Sequence, residues 1–230
     1  MEELNVVYED NHIIVVIKPQ NIPTQEDESK DKDLLTMVKE YIKVKENKPG
    51  NVYVGLVHRL DRPTGGLMIF AKTSKAASRL TQEIHTNDFK KRYLTVVVGK
   101  PRDKRAKLVN YLMKNSRTNT VQVVPELTTN AKRAELEYQV LDEKEKVSLV
   151  EVQLLTGRSH QIRVQMKHIG CPVYGDVKYG GDSLAKGHNL ALWAYELKFV
   201  HPTTKENMTF KCYPPEDIVP WNVFNLNIVK

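Results

Sequence analysis

Two unbroken apolar runs constrain the fold of this chain more than any other feature. Residues 13–17 are Ile and Val throughout, and residues 67–71 carry no polar side chain. Short runs of this kind, bounded by turn residues such as Pro19 and the pair Gly65-Gly66, read as strands buried on both faces. Such strands need neighbours to cover them. Further strand-like segments fall at residues 4–8, 52–57, 93–98, 121–124, 134–141, 147–155, 197–200 and 208–213, joined by polar connections that suit antiparallel pairing. Helical spacing is confined to residues 33–47, 74–85 and 159–168, with Asp33 and Ser74 as N-caps of the first two. The expected fold is therefore α+β. A mixed, mostly antiparallel central sheet is flanked by helices and loops in one domain over residues 1–230.

Composition enters where it limits function. With 40% hydrophobic and 27% charged residues the chain has enough apolar surface for a core and too much for disorder. A formal net charge of +7 favours an acidic partner such as nucleic acid, although net charge alone identifies none. Cys171 and Cys212 form neither a CxxC pair nor a zinc-spaced cluster and are expected to be reduced thiols. The first residues lack the basic start and apolar run of a signal peptide, and no stretch approaches the ~20 apolar residues that span a bilayer. The expected compartment is the cytosol.

Three segments carry candidate chemistry. In the first, Arg59, Asp61 and Arg62 interrupt the apolar stretch between residues 52–57 and 67–71, on a loop closed by Pro63, Gly65 and Gly66. A loop slung between buried strands is rigidly aimed, which suits a catalytic carboxylate; a structural salt bridge or an Asx-type turn is the plainer alternative. In the second, helical projection of residues 159–168 puts Ile162, Met166 and Ile169 on one face and His160, Arg163 and Lys167 on another. Arg163 is thereby expected at the edge of the core, with a solvated basic face as the alternative. In the third, Lys90, Lys91 and Arg92 lead into Tyr93, a ring able to stack on a base or simply to fill a strand.

Taken together and in order, these segments resemble the RluA-type pseudouridine synthases. Residues 56–71 resemble the segment around that family's catalytic aspartate, and Arg92-Tyr93-Leu94 looks like the one bearing its active-site tyrosine. Residues 157–164 resemble its Gly-Arg-x-His-Gln-Ile-Arg-Val segment. Ile17-Lys18-Pro19 and residues 199–203 are similar to further family landmarks. Gly65 stands where the family usually has Ser, Gln165 where His is common, and Gln20-Asn21 where a Gly-containing turn is usual.

The resemblance implies an RNA pseudouridine synthase with Asp61 as catalytic carboxylate, either nucleophile at C1′ or base at C2′. It implies that Arg59 fills the stack vacated by an extruded nucleotide, that Tyr93 stacks on the turned base, and that Arg163 keeps Asp61 ionised and aimed. Isomerisation involves no net redox change, so no cofactor and no metal is implied. The partner is RNA, ribosomal or transfer, met by a monomer without a separate N-terminal RNA-binding module. A non-catalytic RNA-binding protein on the same scaffold remains the alternative. A glycosidase usually needs two positioned carboxyl groups, and no second Asp or Glu has surroundings like those of Asp61.

Overall fold

The two apolar runs form neighbouring strands. A computed structural model describes residues 4–86, 88–180 and 187–229. In chain order its elements are β1 (Asn5–Glu9), β2 (Ile13–Lys18), α1 (Leu34–Lys45), β3 (Gly55–Leu56), β4 (Gly65–Ala71), α2 (Ser74–Thr86), β5 (Lys90–Val98), β6 (Arg105–Asn115), β7 (Thr120–Val124), β8 (Lys132–Glu143), β9 (Val147–Leu154), α3 (Gln161–His168), β10 (Leu192–Val200) and β11 (Asn207–Lys211), followed by short 3-10 turns at Trp221–Val223 and Leu226–Ile228. The chain divides into two compact units, residues 1–91 with 194–212 and residues 92–193 with 213–230.

In the first unit β2 runs antiparallel to β4, in register from Ile13 opposite Ala71 to Lys18 opposite Gly66. The strand order is β1-β2-β4-β10-β11, and the short β3 pairs with the end of β4. Every residue of β4 is buried, as expected for a strand covered on both faces. Ile13, Val15, Leu67 and Ile69 meet Ala76 and Leu80 of α2 in one core. Asp33 caps α1, its carboxylate accepting from Thr36 N at 3.0 Å, and Leu34, Met37, Val38 and Ile42 form the buried face. Only Gly55 and Leu56 of the expected strand 52–57 pair, because the chain then turns into the loop that carries Asp61.

The second unit holds the sheet β5-β9-β8-β6-β7, with every pairing in it antiparallel. Strand β6 was not expected, and its register explains why. Ala106, Leu108, Asn110 and Leu112 alternate with more exposed neighbours, so a polar side chain occupies one of the inward positions. Asn110 Oδ1 there accepts from Gln165 Nε2 of α3 at 2.8 Å, a pairing that sequence alternation cannot reveal. Helix α3 begins at Gln161 rather than 159, because His160 takes a left-handed conformation at φ 50°. It is also buried nearly all round, from Gln161 to Met166, rather than lying with a basic strip in solvent. Part of the expected Gly-rich loop 170–187 falls outside the described residues.

Candidate active site

In the first unit, residues 57–64 connect β3 to β4 and are pinned to the segment that follows β2. Lys18 Nζ and Asn21 N both donate to Arg62 O at 2.9 Å, and Gln20 Nε2 donates to Pro63 O at 3.0 Å. Thr24 Oγ1 donates to Leu60 O at 2.8 Å and accepts from Leu60 N at 3.3 Å. Thr64 N donates to Asp61 O at 2.9 Å and closes the turn. Each such bond contributes about 0.5–1.5 kcal/mol net, so the backbone on both sides of Asp61 is fixed several times over. Leu60 is buried, Asp61 is half-buried, and Arg59 and Arg62 are exposed. The backbone that bears Asp61 is thus held in place, and the residue is not sealed from solvent.

The charges of this loop have separate tasks. Arg62 is drawn into surface pairs with Asp27 and Asp31 and donates to Ser29 Oγ at 2.8 Å. Arg59 is exposed at the surface of the loop. The sharp entry into β4 depends on Gly66, whose φ is +114° and whose missing Cβ leaves room for the Ala194 backbone.

His58 begins the loop. Its Nε2 accepts from Ile69 N at 3.2 Å, and its ring lies 5.8 Å from that of Phe89. Burial, aided by the Lys91 charge, pushes its pKa down to about 3. His58 is therefore neutral when folded, whereas an unfolded His binds a proton below about pH 6.5. The unfolded state then holds more protons, so stability falls as pH drops from about 6.5 toward 3. His58→Gln is expected to flatten that slope in melting curves recorded between pH 7 and 4, and an unchanged slope would exclude His58 as its source.

Tyr93 and Arg163 belong to the second unit. Tyr93 is 5% exposed on β5, opposite Val152 of β9. Arg163 is not at the core edge, as helical projection suggested, but 4% exposed. Its Nε donates to Asp176 Oδ2 at 2.8 Å and its Nη2 to Asp176 Oδ1 at 2.7 Å. The bidentate fork sets the guanidinium plane. Asp176 is anchored in turn by Lys178 N and Tyr179 N, each donating at 3.0 Å. The Tyr179 ring lies 5.1 Å from the guanidinium carbon, and its hydroxyl accepts from Val121 N at 2.8 Å and lies 2.6 Å from His160 Nδ1. The segment 157–164 is further locked by Gln161, whose Oε1 accepts from Thr156 Oγ1 at 2.8 Å and Arg158 N at 3.0 Å.

Sequence reasoning missed Lys18 as a loop clamp, and it missed Asp176 and Tyr179 altogether. The only hint was an acidic residue inside a Gly-rich stretch. Asp176→Asn leaves a buried cation short of its counter-charge, at a cost of about 3–5 kcal/mol. Equilibrium urea unfolding checks this, and a loss below 1 kcal/mol would contradict it.

Residues 10–13 and 199–204, at the far end of β2, show what a landmark can do without chemistry. His201 Nδ1 accepts from Thr203 N at 3.2 Å and Thr204 N at 2.9 Å, which leaves Nε2 to donate to Asp10 Oδ2 at 2.8 Å. Asp10 also accepts from His12 N and Ile13 N at 2.7 and 2.8 Å. This late segment is a structural knot.

A family model described as RNA pseudouridylate synthase matches residues 12–168. The chain is 32% identical over 218 residues to the uncharacterized RNA pseudouridine synthase YhcT of Bacillus subtilis, covering 94% of this chain and 70% of that one. It is 32% identical over 230 residues to ribosomal large subunit pseudouridine synthase D of Vibrio cholerae, covering 94% and 69% respectively. Among solved structures, human RNA pseudouridylate synthase domain containing 4 shares the fold, with TM-score 0.78 and 22% identity over 98% of this chain and 92% of that one. Domain containing 1 superimposes with TM-score 0.76 at 25% identity, over 96% of this chain and 87% of that one. Among the described residues no helix is long and apolar enough to cross a membrane.

Proposed function

Because the chain belongs to the RNA pseudouridylate synthase family, isomerases that act on RNA, we propose that it converts specific uridines of structured ribosomal or transfer RNA to pseudouridine with Asp61 as catalytic carboxylate. The observation that carries this reading is the pinned loop of residues 57–64. Asp61 is its one carboxylate, half-buried on a backbone that Lys18, Asn21, Gln20 and Thr24 hold from the other side. A group that acts at one bond of one nucleotide needs this fixity, because small displacements cost rate steeply. Arg59 takes the place of the extruded nucleotide, Tyr93 stacks on the turned base, and Arg163 keeps the carboxylate ionised. The name of the Vibrio cholerae relative favours large-subunit ribosomal RNA as the substrate. The protein acts as a monomer in the cytosol, where this RNA lies, and no step of the isomerisation calls for a cofactor.

Mapping pseudouridines in total RNA with and without the gene tests the proposal directly. A ribosomal or transfer RNA position that loses its modification supports it; unchanged maps of both would hand the case to an RNA-binding protein without catalysis.

Phosphate binding is separable from chemistry. Lys91 is half-buried, with its Nζ 5.9 Å from the Phe89 ring centroid, which makes it a less accessible phosphate contact than a fully exposed cation. Lys100 and Arg102 are exposed. Replacing both with Ala is expected to reduce the slope of log affinity against log salt by about 0.7 per lost phosphate contact on single-stranded RNA. Turnover at saturation should hold. A filter-binding salt titration reads the slope, and an unaltered slope removes these two residues from the RNA surface.

A further inference from the structure

Arg62 follows Asp61 in the chain, and each of its three side-chain nitrogens has a partner within the first unit. Its Nε donates to Asn21 O at 3.0 Å and its Nη1 to Ser29 Oγ at 2.8 Å. Nη1 also lies 3.7 Å from Asp27 Oδ2, and Nη2 is paired with Asp31 Oδ2. Residues 27–31 are knotted into one turn. Asp27 Oδ1 accepts from Ser29 N at 3.0 Å and from Ser29 Oγ at 2.6 Å, and Ser29 Oγ accepts from Asp31 N at 3.2 Å. Three side-chain oxygens, two of them on carboxylates, thereby converge on one guanidinium. An RNA phosphate offers the same kind of anionic acceptor, and the planar fork of an Arg suits it.

A staple for the loop is the plainer reading, and the energetics disfavour it. Residues 57–64 are already held by bonds from Lys18, Asn21, Gln20 and Thr24 to their main chain. The side chains of Arg62, Asp27 and Asp31 are 41%, 43% and 55% exposed, and exposed ion pairs contribute only about 0–1 kcal/mol. The contact therefore adds little to the hold on the loop, and an incoming anion can replace it. Glu26, Asp27, Glu28 and Asp31 stand beside the candidate catalytic loop of a chain whose net charge is +7. Such a turn repels a polyanion that approaches the loop. We propose that Arg62 is an RNA phosphate contact, and that the acidic turn of residues 27–31 occupies it as a phosphate mimic until RNA displaces the turn. The inference rests on the reading of RNA as substrate given above. It makes RNA entry at this point an exchange of one anion for another. The phosphate releases its condensed counterions, while the freed Asp27 and Asp31 gather cations in return, so the wild-type salt slope understates the contact.

A double-mutant cycle in the full-length protein tests this, read by filter binding of a structured ribosomal RNA fragment across salt. Asp27→Asn with Asp31→Asn should tighten binding roughly threefold to tenfold at low salt, and should steepen the slope of log affinity against log salt by about 0.7. KM should fall with kcat unchanged. Adding Arg62→Gln should abolish the steepening and leave only the smaller gain that any two lost negative charges bring. A gain of equal size in the two backgrounds overturns the inference, because it reports general charge alone; so does the absence of any gain in the Asn pair. Should Arg62→Gln fail to fold, the slopes of the wild type and the Asn pair decide, and equal slopes overturn the inference. A wild-type protein that binds no RNA refutes instead the reading of RNA as substrate, and the inference falls with it. Coupling found in a protein that modifies no uridine would keep the inference and refute the catalytic reading.

Discussion

The Asp61→Asn protein is expected to fold, to bind RNA with the wild-type salt slope, and to leave every uridine unaltered. Asn is nearly isosteric with Asp, so the pinned backbone of residues 57–64 loses no hydrogen bond made by its main chain. The amide can act neither as nucleophile at C1′ nor as base at C2′, so both routes close together. Turnover should drop to a few per cent of wild type or less. Purified protein, a ribosomal or transfer RNA substrate and a count of pseudouridine per RNA suffice as the assay. Residual turnover well above that level would remove the carboxylate from the mechanism. Parallel loss of affinity and turnover would mean that Asp61 is structural.

A large effect on stability is also expected at Gly66. A Cβ there would lie 2.3 Å from Ala194 O and 2.6 Å from Ala194 N, closer than real side-chain carbons approach backbone. Its φ of +114° is also one that residues with a Cβ rarely adopt. Overpacking costs about 1–3 kcal/mol and a strained φ/ψ of order 1–3 more, so Gly66→Ala should lose roughly 3 kcal/mol or beyond. For a chain of this length that lowers Tm by about 6–12 °C. Gly65→Ala, next door, is the natural comparison, since Gly65 is not among the positive-φ glycines. Equal melting of the Gly66→Ala and wild-type proteins would contradict the close approach.

Much of this architecture was legible in the chain. The apolar runs at residues 13–17 and 67–71 became β2 and β4, and Asp33 capped α1, because period, β-branching and capping are local properties. What was not legible depended on partners distant in sequence. Strand β6 hid because its inward Asn110 is satisfied by Gln165, fifty-five residues away. Arg163 was expected at a surface edge because helical projection knows nothing of Asp176, which lies outside the helix and supplies the charge that lets an arginine be buried. Lys18 drew notice only as the end of a strand and part of a recognisable tripeptide. Its three partners are main-chain carbonyls, which carry no side-chain signature. Asp61 stood out because its neighbours are unusual in composition, while the hydrogen bonds that hold it come from a segment about forty residues upstream.

The order in which the first unit is assembled follows from its strand order. Strand β4 lies between β2 and β10, yet roughly a hundred residues of the second unit are translated between residue 91 and residue 194. At about 5–20 residues per second a ribosome needs some 5–20 s to supply that length. For that interval the nascent chain holds β1, β2, β3 and β4, while the side of β4 destined for β10 is paired only at its Phe70–Ala71 end by β3 and has unpaired amides along the rest of a strand of seven consecutive buried-type residues. An unpaired apolar edge is a template for pairing with other chains. Synthesis that stalls before Ala194 should therefore yield a fragment that aggregates or is captured by chaperones, whereas release after Cys212 lets β10 and β11 close the sheet.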